Sequence, residues 1–331
     1  MVKSMRRVGN KYQEFCSFAN LHLAWQKTRR GSGFTQESAL FFRELESELL
    51  CLQNELVTGT WVPVPLRFFD IYDPKHREIA VSPFRDRVVH HALINVLEPI
   101  FEPCFIPDSF ATRKGKGVHA AVFSAQEYLQ INHYYLKSDI EKFFDSVPHD
   151  ILLSIICRKI KDRGLIEMCQ KVLSVSRKGL PIGSRTSQFF ANVYLNHFDH
   201  FVKEKCHVKG FVRYMDDFVV FENNKKLLMD LKSKLAFFLF DELELTLKPT
   251  ATFLNHRQNG LPFLGRRIFP NIIRLRTQNL RLITKRMDLL EKKLSCGSLT
   301  DEAFVHSMNA YWAMLSFYPE LKPLRKYLIK K

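Results

Sequence analysis

Residues 211–221 read Phe-Val-Arg-Tyr-Met-Asp-Asp-Phe-Val-Val-Phe, two aromatic and β-branched runs on either side of an acidic pair. Such residues favour extended chain, and two short runs joined by polar residues predict a hairpin with Asp216 and Asp217 at its tip. Adjacent carboxylates repel each other. On a strand they point to opposite faces, so one local hydrogen bond cannot relieve both. A divalent cation is a ready reason to keep them. Asp-Asp is also common in ordinary turns, so the pair gains meaning only from its surroundings.

Residues 133–139, His-Tyr-Tyr-Leu-Lys-Ser-Asp, predict a buried strand that ends in a third aspartate, Asp139. Alone, Asp139 reads as a helix or turn cap. If its strand and the hairpin lie side by side in one sheet, the three carboxylates converge. Hard oxygen ligands with open positions suit Mg²⁺, with Mn²⁺ as a substitute. Two such ions can activate a 3′-hydroxyl and stabilise a leaving pyrophosphate.

Working outward, Pro148 and Asp150 open a predicted helix through Ile151, Ile155 and Ile156, and 187–205 predicts a long amphipathic helix. Helical spacing also covers 36–57 and 84–101. Between these, Pro63 and Pro65 keep Trp61 to Pro65 extended, and 66–81 predicts two strands joined by Asp73-Pro74-Lys75-His76. Leu280, Ile283, Met287, Leu290 and Leu294 form one helical face in a C-terminal stretch with 12 basic and 5 acidic residues from 271 to 331.

The whole chain of 331 residues is 46% hydrophobic, enough for one large unit of two or three packed subdomains. Its 50 Lys and Arg against 34 Asp and Glu leave a net charge of +16, which points to a polyanionic partner. No apolar run is long enough to span a bilayer, and no apolar segment follows the basic start. Nucleic acid is therefore preferred to a membrane, and the cytoplasm is the expected location. The seven cysteines show no C-x-x-C pair and read as reduced thiols, with Cys206-His207 more simply a core thiol than a metal site. His197 and His200 stand three apart, with no further ligand near, and read as structural.

Tyr214-Met215-Asp216-Asp217 resembles the YxDD motif of reverse transcriptases, and Asp139 to Asp145 (DIEKFFD) resembles their first catalytic block. Gly179-Leu180-Pro181-Ile182-Gly183 through Ser187-Gln188 is similar to the next block, and Gly260 to Gly265 (GLPFLG) to the primer grip. Arg77, Phe84-Arg85-Asp86-Arg87 and Ser109 to Arg113 (SFATR) resemble the two fingers blocks. These motifs cover roughly 65–270 in the expected order. The resemblance implies an α+β right-hand polymerase, with fingers, a palm built on a ferredoxin-like antiparallel sheet, and a helical thumb. The implied divisions are an N-terminal helical extension over 1–66, fingers over 67–134, a palm over 135–270 with fingers helices interleaved at about 150–185, and a thumb over 271–331.

The same resemblance implies an RNA-directed DNA polymerase whose partners are template RNA, primer or cDNA, and dNTPs. Asp139, Asp216 and Asp217 are the implied metal ligands, with the backbone carbonyl of Ile140. Lys75, Arg77, Ile182, Gly183 and Gln188 are implied around the nucleotide. Phe144 is the implied steric gate, a ring that leaves no room for a ribose 2′-hydroxyl; without the family it reads as a core aromatic. Arg113, Tyr214, Met215, Phe263, Leu264 and Gly265 are implied along template and primer, although the basic loop at Arg113 also reads as solvated. Lys248 is either a general acid for pyrophosphate or a surface lysine. Ile182 and Gln188 stand where most bacterial members, including those of group II introns, carry Gln and Pro. That departure resembles diversity-generating retroelements, which implies adenine-directed errors during copying of a template repeat and a small basic accessory variability protein as partner. The rivals are an intron or antiphage-defence enzyme and a non-catalytic RNA-binding protein on the same scaffold. No RNase H, endonuclease or intron-binding domain is expected after residue 331.

Overall fold

A computed structural model describes residues 7–32, 35–72, 76–176 and 178–316. Four helices come first: α1 (Tyr12–Cys16), α2 (Phe18–Ser32), α3 (Gln36–Arg43) and α4 (Leu45–Thr58). The single helix predicted over 36–57 is two, because Glu44 leaves helical geometry at φ −117° and ψ 35°. A reciprocal cap between Thr35 and Ser38 starts α3. The antiparallel pair β1 (Arg67–Ile71) and β2 (Arg77–Val81) follows, and then α5 (Phe84–Phe101). The turn at 73–75, with Lys75, lies outside the described residues.

The palm sheet uses β3 (Tyr134–Ser138), β4 (Gly210–Tyr214), β5 (Asp217–Glu222) and β6 (Phe253–His256) in the order β4-β5-β3-β6, all neighbours antiparallel. With α10 (Arg185–His200) and α11 (Lys225–Leu243) as its crossovers, this is the expected ferredoxin-like order. The short α7 (Phe143–Ser146), α8 (His149–Lys159) and α9 (Arg163–Leu173) intervene between β3 and α10. The predicted 187–205 helix starts at Arg185 and changes to π geometry over Phe201–Lys205.

Both faces of this sheet are covered, and its strands carry apolar residues on both faces. Leu136, Phe211, Phe218 and Val220 enter the main core, which also takes residues from α1 to α5 and α8 to α11. Tyr135, Val212, Val219 and Phe221 face the opposite way, onto α6 (Val118–Ile131) and a three-stranded sheet. That sheet, β7 (Leu261–Phe263), β8 (Arg266–Ile268) and β9 (Ile273–Leu275), runs past residue 270. Two helices follow and close the described residues, α12 (Thr277–Ser295) and α13 (Asp301–Ser316). Ile283 and Met287 pack with Leu315 in a small separate core, whereas most of the basic face of α12 is exposed.

Candidate active site

The pairing of β3 with β5 sets Ser138 across from Phe218, and one further step of that register brings Asp139 opposite Asp217. A short extension holds Asp139 in place beyond the strand end. Its carbonyl accepts the Lys248 amide at 2.8 Å, Glu141 donates to the Thr246 carbonyl at 2.8 Å, and Ile140 bridges Leu247. The hairpin turns at Met215, which takes a left-handed φ of 59°, leaving Asp216 in the turn and Asp217 as the first residue of β5.

The three carboxyls are not equivalent. Asp216 lies close to Asp139, and burial, reinforced by that neighbouring charge, raises its pKa to about 7. Burial lifts Asp217 to about 6, against the pull of Lys137, whose Nζ lies 2.7 Å from Asp217 Oδ1. Lys137 thus pairs with Asp217, whereas Asp139 and Asp216 neighbour each other. Among the described residues no group of three His, Cys, Asp or Glu side chains is close enough to hold an ion. The Asp139–Asp216 pair still fits a divalent cation: two hard oxygen donors repel each other in a partly desolvated place, and a cation removes that repulsion.

Five residues after Asp139, Phe144 is half-buried and packs edge-on against the buried Phe143, ring centroids 5.4 Å apart. The Phe144 carbonyl accepts the Leu180 amide at 2.6 Å, which docks the 179–188 segment beside it. In that segment the Ile182 carbonyl accepts the Ala80 amide from β2 at 2.7 Å, so the fingers hairpin and the loop touch through backbone. Gly183 has φ 113°, and an added Cβ would stand 2.7 Å from Ile79 Cγ2 and 2.8 Å from the Ala80 carbonyl. Ile182 and Gln188 are partly exposed, and Arg77 is exposed on β2.

Several predicted contacts with template or primer are corrected. Arg113 is drawn inward: its guanidinium meets Glu102 at 2.8 Å and donates to the Ile106 and Ser109 carbonyls, so it organises its own loop. Met215 and Phe263 are buried in apolar clusters, leaving the partly exposed Tyr214, Leu264 and Gly265 as the surface of those motifs. Leu264 and Gly265 close the β7–β8 hairpin, and the Gly265 carbonyl accepts from Asn279 of α12 at 3.0 Å. Lys248 is partly exposed, and its backbone rather than its ammonium touches Asp139. His197 and His200 make no metal group, whereas Asp199 between them is fully buried against Arg213.

Lys137, Arg213 and Asp199 escaped the sequence reading. Lys137 does lie two residues before Asp139, hence on the same strand face, and this was the one available signal.

A family model described as reverse transcriptase (RNA-dependent DNA polymerase) matches residues 72–268. The protein YkfC of Escherichia coli K12 is 25% identical over 278 residues, 68% of this chain and 72% of YkfC. The group II intron-encoded protein LtrA of Lactococcus lactis is 23% identical over 295 residues, 66% of this chain and 49% of LtrA. The apo telomerase of Candida tropicalis shares the fold, with a TM-score of 0.50 and 12% identity over 65% of this chain and 49% of that one. The described helices include none long and apolar enough to cross a membrane.

Proposed function

Because this chain belongs to the reverse transcriptase (RNA-dependent DNA polymerase) family and is related to the enzymes of group II introns, we propose that it extends a DNA primer on an RNA template at Asp139, Asp216 and Asp217. The observation that carries this reading is the β3–β5 register, which brings Asp139 to the hairpin tip beside Asp216 and Asp217. When bound there, divalent cations such as Mg²⁺ supply Lewis-acid activation of the primer 3′-hydroxyl and neutralise charge on the departing pyrophosphate. Asp139 and Asp216 hold the charge that keeps them. Asp217 is held in reserve by Lys137 and completes the set when that ion pair opens.

The Phe144 ring, fixed by Phe143 and by the Leu180 amide on its own carbonyl, closes the space a ribose 2′-hydroxyl would need. Ile182 meets the nascent base pair with an aliphatic side chain, and Gly183 and Gln188 line the same approach. Arg77, and Lys75 two residues before it, supply cations for the triphosphate. Tyr214, Leu264 and Gly265 lie against the primer strand, while the basic face of α12 follows the duplex backbone.

At the finer level we read the chain as the enzyme of a diversity-generating retroelement. It would copy a template repeat with errors at adenine and work with a basic accessory variability protein in the cytoplasm of a bacterium or of a phage-infected cell. Ile182 and Gln188 support this reading, because an aliphatic contact offers a correct pair no hydrogen bond that a mismatch lacks. The similarity to LtrA favours a second reading, an intron-type enzyme.

The test is primer extension on one RNA template by wild type, Asp216→Asn and Ile182→Gln, with the cDNA sequenced. Loss of extension in Asp216→Asn, and wild-type errors clustered at adenine that fall in Ile182→Gln, are expected. Extension by Asp216→Asn at the wild-type rate overturns the site. Errors spread evenly over the four bases overturn the diversity-generating reading and leave the intron type.

A further inference from the structure

The charged pair of Arg213 and Asp199 lies entirely out of solvent, with both side chains at 0% exposure. Arg213 Nε and Nη2 donate to the two oxygens of Asp199, each at 2.6 Å. The remaining nitrogen, Nη1, donates to the Met215 carbonyl at 3.0 Å and to Asn192 Oδ1 at 3.2 Å. Asn192, also buried, continues the chain of bonds: its Nδ2 donates to the Ala111 carbonyl at 2.9 Å and to Thr112 Oγ1 at 3.1 Å. The backbone of Arg213 joins in, its amide donating to the Asp108 carbonyl at 2.9 Å and its carbonyl accepting from Phe110 at 3.0 Å.

Two features mark the ends of this network. Met215 and Thr112 both hold left-handed backbone, at φ 59° and 55°, a conformation that neither side chain favours. The Met215 carbonyl belongs to the peptide whose other half is the Asp216 amide, so a bond to that oxygen sets the plane from which the Asp216 carboxyl projects.

Stability alone gives no reason for this arrangement. A buried ion pair often does no better than apolar side chains of similar volume, whereas a fixed fork of donors specifies geometry. We propose that Arg213, Asp199 and Asn192 are positioning residues for polymerisation. They hold the Met215–Asp216 turn so that Asp216 faces Asp139, and they tie that turn to the Ala111–Thr112 loop. This rests on the reading that Asp139 and Asp216 hold the divalent cation.

The experiment compares the full-length wild type with Asp216→Asn, Arg213→Lys and the double variant Arg213→Met/Asp199→Leu. Three quantities are read: the melting temperature, its rise with added MgCl₂, and kcat and KM for dNTP in primer extension. The double variant should melt no lower than wild type. Its kcat should nevertheless fall about 10²-fold, the scale of a small misplacement at a reacting centre, with KM changed far less. The MgCl₂ needed to raise its melting temperature should increase about tenfold, since fewer molecules hold a competent pair. Arg213→Lys keeps the charge but cannot grip Asp199 with two nitrogens while reaching the Met215 carbonyl, so it should fall between the two.

A folded double variant with wild-type kcat and wild-type response to MgCl₂ overturns the proposal. If the double variant does not fold, Arg213→Lys decides on the same readouts. Extension by Asp216→Asn at the wild-type rate would sink the metal-site reading itself, whatever the Arg213 variants do.

Discussion

Asp216 and Asp139 confront each other where water is scarce, and burial raises the Asp216 pKa to about 7 and that of Asp217 to about 6. In an unfolded chain both would titrate near 4. A carboxyl whose folded pKa is raised favours folding while protonated, and that contribution is lost as pH rises through the folded pKa. With a chelator present, these two groups should therefore make the protein less stable as pH climbs from about 4 to about 8. Asp216→Asn removes one charge and relieves the other. Its melting temperature should exceed that of wild type by about 2 °C at pH 8, and the difference should shrink towards pH 5. Added Mg²⁺ should stabilise wild type and leave the variant nearly unmoved. A wild-type melting curve that changes with pH just as the variant does would show that Asp216 feels no such environment.

The 179–188 segment meets β2 through one backbone hydrogen bond, from Ala80 to Ile182, and through the bare Cα of Gly183. Gly183→Ala must pay twice, for a Cβ at φ 113° and for contacts of 2.7 and 2.8 Å with Ile79 and the Ala80 carbonyl. Gly59→Ala is the natural control, since Gly59 has φ 74° with nothing within 4 Å of an added Cβ. Both variants should lose about 1–2 kcal/mol to backbone strain. Only Gly183→Ala should also push the loop off the fingers hairpin and raise KM for dNTP several-fold. Equal effects of the two on both melting and KM would show that the loop and β2 move independently. The two-residue β7–β8 hairpin is a second junction of this kind, because Asn279 of α12 anchors on its Gly265 carbonyl and so joins thumb to palm.

The excess of basic residues, 50 against 34, is far more than folding needs, and much of it lies on exposed faces such as that of α12. Each phosphate contact releases condensed counterions, so affinity for an RNA–DNA template–primer should fall steeply with salt. Between about 50 and 200 mM salt the Kd should rise on the order of 10²-fold or more. Arg281→Ala with Lys285→Ala should flatten the slope without altering the fold, because both residues lie on the exposed face of α12. A Kd independent of salt would assign the charge to another partner. The palm sheet sits between the main core and the α6 face.

The local pattern of residues was enough for much of this architecture. The largely apolar run before Asp139 and the β-rich runs flanking Asp216 predicted a buried strand and a hairpin, and the resemblance carried by the ordered motifs implied the ferredoxin-like sheet. Prolines at 63 and 65 marked the extended stretch before β1. Side-chain partnership depends instead on register and on elements distant in sequence, and there the pattern was silent. Nothing in Arg113-Lys114-Gly115-Lys116 distinguishes an arginine that grips a template from one that turns inward to Glu102. Lys137 and Asp217 are 80 residues apart and meet through cross-strand register. His197-Phe198-Asp199-His200 drew notice for its histidines, but the aspartate carries the interaction, because folding sets it against Arg213 fourteen positions later. A charge can leave water only where the tertiary fold brings its counter-charge, and that meeting is not written in the local sequence of either residue.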